Sequence, residues 1–174
     1  MHEVRCAQAR VRISNLNEPD AALILSDTIL GEARATCRWV RRRMVEVDID
    51  GDVVLTGGAS VPGALTKGDI DLHLRVPAAS FDSAVDRLRT EYQATSLWAW
   101  AATLAVFDVP APRPTGLAVT PAGSEHDLRF SRGWERLRTD PVLLEEYNNL
   151  KRTAFGDASY EDRKAAFFTR LADP

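Results

Sequence analysis

The tightest constraint on this chain lies between Leu55 and Val76. An apolar run enters Thr56-Gly57-Gly58-Ala59-Ser60, and the chain later passes through Lys67-Gly68 into Asp69-Ile70-Asp71-Leu72-His73-Leu74-Arg75-Val76. Polar and apolar residues alternate throughout that last segment, which is the period of a strand with one face in a core. Ile70, Leu72, Leu74 and Val76 point one way; Asp69, Asp71, His73 and Arg75 point the other. Pro77 ends the strand.

Two carboxylates on one face of a rigid strand make a hard-oxygen site suited to Mg²⁺, an ion that completes its octahedron with water and substrate phosphates. Gly57 and Gly58 allow backbone N–H groups to approach a phosphate closely. The Ser60 hydroxyl and the Lys67 ammonium are near enough in sequence to hold phosphate oxygens. Together these features point to metal-assisted chemistry on a nucleoside triphosphate. An Asp-x-Asp pair also occurs on solvated strand faces, so the alternative is a tight connection with an acidic edge. Imidazole matches Mg²⁺ poorly, and His73 reads as a half-exposed strand residue.

The 174 residues fit one domain, 1–174, with a core over about 17–122 and a helical part over about 123–172. An apolar fraction of 45% and a charged fraction of 27% are those of an ordinary globular chain. A chain of this size folds without disulfides or a structural metal. Cys6 and Cys37 form neither a disulfide framework nor a zinc site. There is no signal-peptide pattern at the start and no apolar run near the ~18 residues of a membrane span, so the expected location is cytoplasmic. A net charge of −3 argues against whole-surface nucleic-acid binding, and no extended basic, aromatic-laced stretch is present. Small-molecule partners are expected, and the sequence carries no signal for an oligomeric state.

A first helix is expected from Asn17, with Asp20 in capping-box spacing and an apolar stripe through Leu23, Leu30, Ala33, Cys37, Val40 and Met44. Arg38, Arg41, Arg42 and Arg43 crowd its last turn, either as solvated cations favouring the helix dipole or as a phosphate patch. From Val45 to Thr56 two readings stand: a hairpin turning at Asp50-Gly51, or a helix end followed by one strand, 53–56. Ser80 is placed to cap a helix over 81–91, the apolar run 98–109 reads as strand, and 117–120 as another strand. Three helices follow: one opened by Ser124 with Asp127, one by Asp140-Pro141, one by Ser159 with Asp162. Trp98, Trp100, Trp134 and Phe130 read as packing groups.

The run from Thr56 to Leu72 closely resembles the signature of GrpB-like proteins, of the DNA polymerase beta-like nucleotidyltransferase superfamily. The C-terminal part agrees: Asp140-Pro141, Leu144, Glu146-Tyr147-Asn148, Leu150-Lys151, Tyr160 and Lys164-Ala165-Ala166-Phe167. The resemblance covers about 56–171 and implies an α/β (α+β) fold, a mixed β-sheet flanked by helices with a helical C-terminal cover. It implies that Gly57 and Gly58 face a triphosphate and that Asp69 and Asp71 bind Mg²⁺. The implied reaction moves a nucleoside monophosphate from a nucleoside triphosphate to a small-molecule acceptor. Members of the superfamily usually carry a third carboxylate on a neighbouring strand. The segment 116–120 has no acid, and Asp108 is the candidate that would join Asp69 and Asp71 as a catalytic residue. Tyr147 with Lys151, and Tyr160 with Lys164, stand at i and i+4 on one helix face. Tyr147, Lys151 and Lys164 are therefore candidates for a wall around the base and triphosphate; the alternative is a packed tyrosine beside a solvated lysine. If the site lacks its third acid, the alternative function is a binding module of the same fold without nucleotidyl transfer.

Overall fold

In the computed structural model, which describes residues 22–172, β1 (Ile24–Leu25) leads into α1 (Leu30–Glu46), followed by β2 (Asp52–Thr56), β3 (Leu65–Thr66) and β4 (Ile70–Val76). Next come α2 (Phe81–Glu91), β5 (Gln93–Ala94), β6 (Ala105–Val109) and β7 (Thr115–Pro121). The C-terminal helices are α3 (Glu125–Thr139), α4 (Pro141–Ala154) and α5 (Tyr160–Ala172). Five strands form a mixed sheet in the order β2-β4-β7-β6-β5, with β4 and β7 parallel and the other pairs antiparallel. β1 and β3 make a separate ribbon.

The alternation in β4 sorts the two faces of this sheet. Ile70, Leu72, Leu74 and Val76 join Val53, Phe107, Leu117 and Val119 in a core closed by α1 and α2. The α1 stripe of Ala33, Cys37, Val40 and Met44 enters this core as expected. Thr56, Asp71, Gly116 and Asp108 are aligned partners across β2, β4, β7 and β6, so they form one row on the opposite face. The C-terminal helices cover that face around a second core of Trp134, Leu137, Tyr147, Phe167 and Phe168. Gly133 lets α3 approach α5, since a Cβ there would lie 2.7 Å from Phe168 Cδ1.

Several local expectations change. Asn17 and Asp20 lie outside the described residues, and α1 starts at Leu30 instead of running through Leu23. The segment before it is tied to a distant loop. Ser26 N–H donates to the Ala64 carbonyl (2.8 Å), its hydroxyl to the Val61 carbonyl (2.6 Å), and Asp27 accepts from Gly63 N–H (2.7 Å). After α1, Asp48 takes a left-handed φ of +55° and ends the helix, so a single strand follows in place of the Asp50-Gly51 hairpin. Ser80 makes no side-chain cap at α2. Leu97–Ala99 is a 3₁₀ turn and strand begins only at Ala105, leaving Leu97 and Trp98 exposed. The Ser124 and Asp140 caps form as read.

Two arginines close the outer edge of β2. Arg41 Nε donates to the Val53 carbonyl at 2.5 Å, and Arg138 Nη2 to the Leu55 carbonyl at 3.4 Å. Those carbonyls would otherwise invite another strand. Arg43 pairs with Glu46 and with Glu91 of α2, so two of the four crowded arginines serve the fold. Among the described residues no helix is long and apolar enough to cross a membrane.

Candidate functional site

β2 ends at Thr56 and leads into Gly57, whose φ of +69° lies in the left-handed region that side chains disfavour. A Cβ there would be 2.7 Å from both Cβ and Cγ of Asp71, and nearer still to its Oδ2. The 3₁₀ turn Gly58–Ser60 follows. The Gly57 carbonyl accepts from the Ser60 N–H (3.1 Å) and the Ser60 hydroxyl (2.8 Å), and Arg138 donates to that hydroxyl at 3.0 Å. Ser60, expected to hold phosphate, is committed to shaping the glycine turn.

The loop between the turn and the acids is pinned from α4. Asn148 accepts from Leu65 N–H (2.7 Å) and donates to the Gly63 carbonyl (2.9 Å), while Lys151 Nζ donates to the Leu65 carbonyl (2.7 Å). Residues three apart on a helix share a face, so one side of α4 sets the loop. Sequence reasoning passed over Asn148, although its spacing from Lys151 was the available signal.

Asp69 and Asp71 stand beside each other at the start of β4, and the Thr66 hydroxyl donates to Asp69 Oδ1 at 3.4 Å. Burial, and then the Asp69 charge, push the Asp71 carboxyl up to about 7 against the pull of Lys164, Lys151 and Lys67. Lys151 is 4% exposed. Burial, and then the Lys164 charge, bring its ammonium down to about 7. Burial opposes charge on Lys164 too, but Glu161, Tyr160, Asp71 and Asp69 outweigh it and raise its pKa. Three lysines and two carboxylates thus share one electrostatic patch. The Tyr160 hydroxyl beside them is buried with no hydrogen-bond partner among the described residues, and burial pushes it up to about 12.

Asp108 is not brought to this pair. Gly116 lies between Asp108 and Asp71 in the row, and two strand spacings separate their backbones by roughly 10 Å. Burial alone raises the Asp108 carboxyl, with no contribution from Asp69 or Asp71. Among the described residues no three His, Cys, Asp or Glu side chains gather as a metal cluster. The position facing Asp71 on the neighbouring strand is Gly116, which has no side chain.

The fold agrees with comparison to known proteins. The family model described as GrpB protein matches residues 35–173. The chain belongs to the GrpB family. A UPF0157 protein of Vibrio cholerae serotype O1 is 28% identical over 148 residues, 80% of this chain and 78% of the relative. The crystal structure of the conserved protein GrpB from Enterococcus faecalis superposes with a TM-score of 0.67 at 18% identity, over 87% of this chain and 94% of that one. The Cid1 poly(U) polymerase with MgGTP bound gives 0.52 at 14% identity, over 81% of this chain and 50% of the polymerase. These likenesses show the nucleotidyltransferase fold.

Two further residues of this GrpB chain differ from expectation because the C-terminal helices cover the site face. His73 is 1% exposed, not half-exposed. Its Nε2 lies 2.7 Å from Thr120 Oγ1 and 3.8 Å from Asp127 Oδ1, with Phe130 edge-on at 5.5 Å. Burial, partly offset by Asp127, pulls its imidazole down to about 4. Tyr147 is 1% exposed and packs on Trp134, Phe167 and Phe168. Its ring is taken up by core contacts and by the Lys151 ammonium 4.9 Å from its centre, so the tyrosine is packed but the lysine beside it is buried, not solvated. A cavity of about 70 Å³ reaches Gly57, Asp71, His73, Trp134 and Lys164 from the space beneath α3.

Proposed function

We propose that this GrpB protein, acting in the cytoplasm, binds Mg²⁺ and a nucleoside triphosphate and transfers the nucleoside monophosphate to a small-molecule acceptor. The observation that carries the reading is the Asp69–Asp71 pair beside Gly57-Gly58, ringed by Lys67, Lys151 and Lys164. The carboxylates suit the ion: both supply hard oxygen, and burial plus mutual repulsion leave Asp71 short of compensating positive charge. Asp69 and Asp71 would hold Mg²⁺, which supplies Lewis-acid polarisation of the phosphates. The lysines neutralise the triphosphate, and the Tyr160 hydroxyl is an unused donor for it. In the transfer, an acceptor oxygen or nitrogen attacks the α-phosphorus and forms the new bond. The bridging α–β P–O bond breaks, pyrophosphate leaves with its electron pair, and the acceptor proton passes to water.

Gly116 opposite Asp71 favours a second reading, a binding module of the same fold without transfer. Titration of the four nucleoside triphosphates with and without Mg²⁺, repeated for Asp69→Ala/Asp71→Ala, tests the site. Mg²⁺-dependent binding lost in the variant is expected, and equal behaviour of the two proteins would refute it. Pyrophosphate release in the presence of acceptors separates transfer from binding alone.

A further inference from the structure

One face of α1 is left without a partner by the fold. Ala33, Cys37, Val40 and Met44 turn into the core, and the opposite side carries Arg34, Arg38 and Arg42, all exposed. Residues four apart on a helix stand one above the other, so the three guanidiniums form a row with about 6 Å of helix axis between neighbours. None of the three takes an ion pair among the described residues. The acids that could neutralise them are committed elsewhere. Glu32 pairs with Arg113 at 2.6 Å, Glu46 with Arg43 at 2.9 Å, and Asp52 faces Arg41 at 3.8 Å.

Beside the row lies a shelf. Around the helix, Gly31 and Ala35 fall between Arg38 and Trp39. Both are exposed and small, and a Cβ on Gly31 would meet nothing within 4 Å. Trp39 bounds the far side, 39% exposed, and its indole has neither ring contact nor hydrogen bond among the described residues. Evenly spaced free cations beside an uncommitted indole complement a chain of phosphates that carries flat bases. Phosphates attract arginine whatever the sequence, and unpaired bases stack on aromatic rings. An apolar partner would bury three guanidiniums without counter-charge, and a lone anion would engage only part of the row. The net charge of −3 argues against a whole-surface mode and leaves this local one.

We infer that this face of α1 binds single-stranded RNA, with phosphates on Arg34, Arg38 and Arg42 and a base stacked on Trp39. Unpaired stretches are the form in which RNA offers its bases, whereas a duplex hides them from the indole. The surface is separate from the function proposed above, because α1 covers the sheet face opposite the acid pair.

The probe is a fluorescein-labelled RNA of about 12 nucleotides without internal pairing, titrated with the full chain and read by anisotropy at several salt concentrations. Affinity should fall with salt at a log–log slope of about −2, the value for three single-strand phosphate contacts. Arg34→Gln/Arg38→Gln/Arg42→Gln should weaken binding at least tenfold at about 50 mM salt and bring the slope toward zero. Trp39→Ala should weaken it about fivefold or more, and Trp39→Phe, which keeps a ring, about twofold. Arg132→Gln removes an exposed arginine from α3 and should leave affinity within twofold. On the same RNA annealed to its complement, Trp39→Ala should have no effect. Absence of binding, unchanged affinity in the triple variant, an equal loss in Arg132→Gln, or a Trp39→Ala loss that persists on the duplex would overturn the inference. So would binding to phosphatidylserine vesicles without binding to RNA, which assigns the face to a membrane surface.

Discussion

The Asp71 carboxyl occupies the space that a side chain on Gly57 would fill. Chain reversal at φ +69° and removal of the Cβ are both needed for β2 and β4 to bring the glycine turn against the acid. Gly57→Ala should therefore displace Asp71 and strain the turn. The expected cost is about 1–3 kcal/mol in urea denaturation, together with loss of Mg²⁺-dependent nucleotide binding. A stable variant with unaltered binding would show that the close approach has no role.

Asp127 is fully buried, accepting two bonds from Arg75 and one from Gly123 N–H (2.7 Å). Asp127→Ala leaves a guanidinium and an amide without partners at the base of α3. Breaking a buried pair from one side costs about 3–5 kcal/mol, and the lower end applies because Arg75 is 37% exposed. Denaturant midpoints of Asp127→Ala, Arg75→Ala and the double variant measure it. Additive losses would mean the two residues do not act together.

His73 is buried neutral, with its imidazole brought down from 6.5 to about 4. Between those values the unfolded chain binds a proton that the folded chain does not, so stability rises with pH across that window. On acidification from pH 6.5 toward 4 the protein should lose up to about 3 kcal/mol from this group. NMR titration of the ring should show no protonation above about pH 5. A midpoint near 6.5 would be incompatible with the buried, Thr120-bonded ring.

Asn148 touches neither proposed metal nor nucleotide but satisfies Leu65 N–H and the Gly63 carbonyl. Asn148→Ala should cost about 1–3 kcal/mol by orphaning both. Because the loop places Lys67 and Asp69, nucleotide affinity should fall as well. Full affinity in a destabilised variant would confine Asn148 to a packing role.

Much of this was legible in the chain itself. Strict alternation over 70–76 set the strand, its buried face and the shared face of the acids, since only a two-residue period does this. Local capping chemistry set the starts of α3 and α4, where Ser124 and Asp140 bond amides two or three residues on. Interactions across long separations were not legible. The link from Ser26 to Val61 replaced a helix with a strand, and the cover of α3 buried His73 and matched Arg75 to Asp127. Strand order, decided by tertiary pairing, inserted Gly116 between Asp71 and Asp108 and kept the third acid apart. Sequence determined which side chains share a face, because that follows from backbone period. Only the tertiary structure decided which meet, because that depends on partners brought in from elsewhere in the chain.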